Sequence, residues 1–238
     1  MTAPHEEWTV LPHGRLQRID DRILIVTGTI KMPIGSFERR MSVVRLNDGT
    51  LAFYSPVALD EEQMSQIDAF GRPAWLIVPG RHHRLDVKPF KHRYPAAKVI
   101  AAPGARGDVE ELVAVDATDV EFPDASLRFS VVPGTGQDEA ALVVAAEAGT
   151  TLILNDILAN VQNATGVDGI IARLFGFAGD KPQIPLPEKL GIIDDRKALA
   201  AQFRAWAELP LARIVVSHGE PIVEDPSGVL REVAGTLE

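Results

Sequence analysis

No cysteine occurs among the 238 residues, which excludes disulfides, thiolate metal sites and cysteine nucleophiles together. Any metal ion would have to use His, Asp, Glu or water. Positive charge is also scarce: 24 Lys and Arg stand against 33 Asp and Glu, a net charge of −9. Binding to a phosphate backbone runs on Lys and Arg, so a nucleic-acid partner is not expected. Long apolar runs are missing too, none approaching the roughly 20 residues that span a bilayer. The N-terminal stretch MTAPHEEWTVLPHG lacks the charged-then-apolar pattern of a signal peptide. These absences lead to the expectation of a cytoplasmic protein with no membrane partner. There is no Gly-x-Ser-x-Gly, which argues against a serine hydrolase. Gly134-Thr-Gly136 is too short for a dinucleotide fingerprint.

What is present is ordinary globular material, 46% hydrophobic and 24% charged, enough for one core and read as a single domain over residues 1–238. Short β-rich runs open the chain: Arg22 to Thr27, Met41 to Leu46 and Leu51 to Ser55. Asp48-Gly49 supplies the positive φ of a hairpin turn between the last two. Ala58 to Phe70 carries Leu59, Met64, Ile67 and Phe70 at helical spacing, and the strand Ala74 to Val78 follows. A helix from Asp86 to Tyr94 is expected to break at Pro89, before a strand within Pro95 to Ala102. Strand, helix and strand in that order imply a parallel pairing. Further strands are predicted at Glu111 to Asp116, Leu127 to Val132, Ala140 to Ala146 and Thr150 to Leu154. A helix near Gly169 to Phe177 precedes a proline-rich excursion. The helix Asp194 to Glu208, the strand Arg213 to Ser217 and a helix from Gly228 to Leu237 close the chain.

Polar residues at strand ends are the natural places for chemistry, because rigid strands present them at a common rim. His82 and His83 follow LIVPG, Asp156 follows TLILN, and His218 follows RIVVS. Each has a structural alternative. An adjacent histidine pair in a loop is more often a solvated or capping feature than a ligand pair, and Asp156 reads equally as the N-cap of a helix ILANVQNA. His218 reads equally as a strand-to-turn device bonded to backbone. Arg81, Arg84, Lys88, Lys91 and Arg93 make a basic patch that is either a solvated face or a lure for anions.

The segments RMSVVRLNDGTL with SPVALD, WLIVPGRHHRLD, FSVVPGTGQDEAALVV, TLILNDIL and ARIVVSHGEPI resemble the metallo-β-lactamase superfamily, in a branch whose metal motif has decayed. The resemblance runs from about Asp21 to the last helix. It implies an α/β fold, the metallo-β-lactamase-like αββα four-layer sandwich with two mixed β-sheets. The superfamily's His-x-His-x-Asp-His positions fall on Gly80, His82, Arg84 and Leu85, so one histidine is kept. A one-residue shift would make it His83. Thr135 replaces the histidine of the second motif, with Glu139 four residues on. Asp156 matches the bridging aspartate and His218 the last histidine.

The resemblance implies a single-metal hydrolase acting on an ester, a lactone or a similar small substrate. One divalent ion (zinc, manganese or iron) would sit on His82 or His83, Asp156 and His218, with Glu139 as a fourth ligand or a base. Phe175, Phe177 and the segment to Leu190 would form an apolar flap. The rival reading is a metal-free, inactive member of the fold that binds a ligand or acts as a scaffold. Arg84, a fixed guanidinium, and Thr135 in place of ligands favour it, with Arg81, Arg84 and His82 then available to an anion. A homo-oligomer joined through Asn160 to Leu190 is compatible with either.

Overall fold

The structure, a computed structural model, describes residues 3–31, 36–162, 173 and 176–238. Two compact units divide the chain, Met1–Ala125 and Ser126–Glu238.

The first unit is a six-stranded sheet in the order β1-β2-β3-β4-β5-β6. Its strands are β1 (Gln17–Arg18), β2 (Ile23–Lys31), β3 (Ser36–Arg45), β4 (Thr50–Tyr54), β5 (Arg72–Val78) and β6 (Lys98–Ala101). The first four pair antiparallel, and β5 and β6 add parallel to β4. The β3–β4 hairpin turns on Gly49, whose φ of 78° suits glycine, while Asp48 Oδ1 accepts the Thr50 amide and hydroxyl. Helix α1 (Glu61–Phe70) starts where the Asp60 side chain accepts the Gln63 amide, and it buries Met64 and Ile67. The core gathers Leu51, Phe53, Leu76, Val78, Phe90 and Val99 beneath it. Helix α2 (Val87–Arg93) passes through Pro89 without breaking. That departs from the expected break, because Pro89 lies in the first turn, where amides have no intrahelical acceptor.

Another expectation fails here. Glu111 to Asp116 forms no strand; helix α3 (Arg106–Glu110) runs into a turn instead. Val109 anchors that helix in the core, so Leu112 and Val113 pack from a turn. The neighbouring β6 edge is met at Asp116 and Ala117, by the Asp116 carboxylate on the Val99 amide, a few backbone hydrogen bonds and an isolated bridge between Ile100 and Ala117.

The second unit is a four-stranded sheet in the order β10-β9-β8-β7. Strands β7 (Leu127–Val131), β8 (Ala140–Ala146) and β9 (Gly149–Asn160) pair antiparallel, and β10 (Leu211–Gly219) lies parallel to β9. Both sheets are therefore mixed. Apart from Gly149, every residue of β9 is buried. Helix α4 (Leu186–Gly191) precedes α5 (Arg196–Ala207), whose Asp195 cap accepts two amides and whose Leu199, Phe203 and Trp206 stripe is buried. Helix α6 (Pro226–Gly235) adds Leu230, Val233 and Ala234 to the same core.

Asp156 is not a helix cap: ILAN continues β9 through Asn160, since β10 supplies a partner as far as Asn160. The expected helix at Gly169 to Phe177 lies largely outside the described residues, as do Phe175 and part of the Asn160 to Leu190 segment. Among the described residues no helix is long and apolar enough to cross a membrane.

Gly219 ends β10 at a φ of 93°, and a Cβ there would stand 2.0 Å from the Asn160 carbonyl oxygen. Gly219→Ala is expected to lower stability by roughly 2 kcal/mol or more, from the strained φ and the backbone clash together. Denaturant unfolding checks this, and an unchanged midpoint contradicts the assignment.

Candidate functional site

In the first unit, β5 leads through Pro79-Gly80 into a single 3-10 turn, Arg81–His83. The turn separates the two histidines. His82 is exposed and His83 is buried, with its Nδ1 2.6 Å from the Ser55 hydroxyl at the end of β4. Arg84 points its guanidinium to the Glu111 carboxylate at 2.7 Å and to the Asp108 carbonyl. Lys88 pairs with Glu6, and Arg93 with Glu61. The basic patch is thus largely tied to acids on the surface, where such pairs contribute little stability. Arg81 is exposed.

Asp86, at the far end of the histidine segment, was not singled out by sequence reasoning. It is buried and receives His5 Nδ1 at 2.6 Å, the Arg39 guanidinium, and the Ala58 amide at 3.3 Å. Burial alone would raise its pKa, but the His5 bond and the Arg39 charge outweigh it and hold the carboxyl below the usual aspartate range. Breaking such a buried pair leaves a charge without compensation. Its signal in the sequence is faint, one Asp after a His-His pair and one Arg inside a strand.

The second unit builds its polar cluster where β9 and β10 lose register. Val216 pairs with Leu154, yet His218 pairs with Ala159. The ladder opens around Asn155 to Leu158, as irregular pairing often does beside functional groups. Asp156 and His218 face each other there, both buried, with Oδ1 2.9 Å from Nε2. Ser217 donates to Asn155 Oδ1 at 3.0 Å, and Asn155 Nδ2 donates to Glu139 Oε1 at 2.9 Å. Glu139 Oε2 accepts the Asp156 amide at 3.2 Å, so both of its oxygens serve to hold the strand that carries Asp156. Thr135 is buried and donates to the Val132 carbonyl, which makes it part of a turn. Phe177 meets the His218 ring edge to face, 5.4 Å between centroids.

Glu188 on α4 is a further member that nothing in LPEKLG announced. It is buried, and its Oε2 has no hydrogen-bond partner among the described residues. Burial, then the negative charges of Asp156 and Asp138, push its carboxyl up to about 8. Glu139 is raised as well, by burial first and then by Asp156, against the stabilising Asn155 donor. The cluster therefore holds more buried carboxyl groups than it can keep ionised without a cation.

No protein-family model matches the chain, and no curated protein matches it. Solved structures do. The metallo-β-lactamase DIM-1 exposed to ceftazidime aligns at a TM-score of 0.65 and 11% identity, over 97% of this chain and 100% of that one. FIM-1 from Pseudomonas aeruginosa, in its mono-zinc form, aligns at 0.62 and 12% identity, over 95% and 96%. A metallo-β-lactamase from Hirschia baltica aligns at 0.60 and 14% identity, over 94% and 98%. The chain thus has the metallo-β-lactamase fold, an α/β sandwich class with two mixed sheets.

The raised carboxyls give a prediction of definite sign. A group that binds its proton more tightly in the folded chain destabilises that chain as the proton leaves. Stability of metal-free protein should therefore fall as pH rises from the ordinary glutamate value of 4.5 to about 8. Glu188→Gln should flatten this fall, raising the thermal midpoint at about pH 9 by on the order of 5 °C and changing it little at about pH 5. Parallel pH profiles for the two proteins would refute the assignment of this dependence to Glu188.

Proposed function

We propose that the chain is a metal-dependent hydrolase in which Asp156 and His218 hold one divalent ion. The carrying observation is the buried Asp156–His218 pair at 2.9 Å, set on adjacent parallel strands. An imidazole and a carboxylate suit zinc, manganese or iron and leave positions open for water. Buried negative charge at Asp156, Glu139 and Glu188 is what a dication would offset, and the orphaned Glu188 oxygen fits such a setting. FIM-1, crystallised in a mono-zinc form, gives a precedent for single occupancy on this fold. The reading treats the whole chain as one functional domain.

Bound there, the ion would supply Lewis acidity toward a carbonyl and lower the pKa of water. The protein's own part is positional. Glu139 and Asn155 fix the backbone of Asp156, so that its carboxylate is delivered by a stiff strand. Glu188 can carry a proton on its unpartnered Oε2 near neutral pH, in the range a general acid or base needs. Phe177 beside His218 gives the rim an apolar wall, as an ester or lactone with a hydrophobic arm would require. Engagement of Arg84 with Glu111 and Asp108 removes the main feature that favoured an anion in place of the metal.

Elemental analysis of protein purified without chelator tests the reading, with Asp156→Ala and His218→Ala alongside. Close to one ion per chain is expected in the wild type, and less than about a tenth of that in either variant, since each removes one ligand of the pair. Ester and lactone hydrolysis should fall with the metal. A wild type that carries no ion and gains no thermal stability from zinc, manganese or iron would leave the metal-free ligand-binding or scaffold protein as the reading.

A further inference from the structure

Ser55 is fully buried and sits at a φ of 56°, the left-handed region that serine rarely occupies. It closes β4 just as the turn Arg81–His83 follows β5, and those two strands run parallel. Such conformations persist only where surrounding structure over-determines them. Here it does so at successive peptide groups. The Ser55 amide donates to the Ile77 carbonyl at 3.0 Å, and Arg39 Nη1 donates to the Pro56 carbonyl at 3.1 Å. The Val57 amide meets Met41 Sδ at 3.3 Å, and the Ala58 amide donates to Asp86 Oδ2 at 3.3 Å. Asp86 lies three residues beyond His83, so one carboxylate secures both the segment leaving Ser55 and the segment leaving His83. The outcome of this bracing is the contact of Ser55 Oγ with His83 Nδ1 at 2.6 Å.

We propose that Ser55 is a positioning residue that sets the tautomer of His83: its Oγ accepts the Nδ1–H, leaving the lone pair on Nε2. The proton on one imidazole nitrogen is fixed by the partner of the other, and a histidine that ligates through one nitrogen characteristically donates from its second. In a chain with no cysteine, the orientation of each histidine is the more consequential. The assignment does not rest on the metal reading above.

Long-range proton–nitrogen NMR on labelled, metal-free protein tests it, above the ordinary histidine pKa near 6.5 and with the His83 signals identified by their loss in His83→Gln. The wild type should show His83 protonated on Nδ1. Ser55→Ala should move the proton to Nε2, the form favoured by an imidazole with no partner at Nδ1. Ser55→Gly removes the same hydroxyl while relieving the positive φ, so it should give the same result in a chain at least as stable. A wild type protonated on Nε2, or either folded variant keeping Nδ1–H, overturns the proposal. A protein that takes up no metal but shows the tautomer change would sink the hydrolase reading and leave this inference standing. Normal zinc binding with an unmoved tautomer would do the reverse.

Discussion

A carboxylate and an imidazole held 2.9 Å apart in the interior of a sheet, as Asp156 and His218 are, impose the constraint from which the rest of the second unit follows. Neither group can be solvated, so each must be positioned by stiff backbone and balanced by charge or hydrogen bonds. The backbone comes from β9, buried on either side of the polar step, and from β10, buried from Ile214 to His218. The register jump between Val216 and His218 opens the ladder enough to admit the side chains. Gly219 lets β10 leave past Asn160 without a clash. The remaining imbalance falls on Glu139 and Glu188, whose raised pKa values express excess negative charge in a place that water cannot reach.

The first unit solves a similar problem differently. Its buried carboxylate, Asp86, has a full complement of donors in His5, Arg39 and the Ala58 amide, and its pKa is lowered in spite of burial. Asp86 is therefore a structural tie, whereas Glu139 accepts from the neutral Asn155 amide and the Asp156 backbone, and Glu188 Oε2 has no hydrogen-bond partner among the described residues. Arg39 and Asp86 hold the turn after β4, and that turn holds Ser55 against His83. A charge pair remote from the histidine thus governs its surroundings through backbone.

Much of the sheet framework was legible in the sequence, because apolar runs bounded by Gly, Pro and Asp mark strands whether or not their partners are known. The hairpin at Asp48-Gly49, the helix over Glu61–Phe70 and the capped helix after Asp195 are of this kind. Pairing was less legible. Glu111 to Asp116 has strand composition but leaves α3 as a turn and reaches the β6 edge only at its last residue, and ILAN after Asp156 extends a strand since β10 waits beside it. Among the site residues, Asp156 and His218 stood out as polar groups ending long apolar runs. The choice between His82 and His83 turns on one residue of a 3-10 turn, which no periodicity encodes. Arg84 could be named but not its partners, and Glu188 is visible only once α4 folds over the acids of the sheet strands. Ser55 lies in an ordinary-looking strand end, and its strained φ leaves no trace in composition.

The claim that most of this depends on is that the Asp156 and His218 side chains converge on a cation. Anomalous diffraction from crystals grown without added metal, recorded on both sides of the absorption edge of the element found, addresses it directly. The account predicts one strong anomalous peak within bonding reach of Asp156 Oδ1 and His218 Nε2, with imidazole and carboxylate donors around it. A map featureless at that position, with the two side chains bonded only to each other, would contradict it.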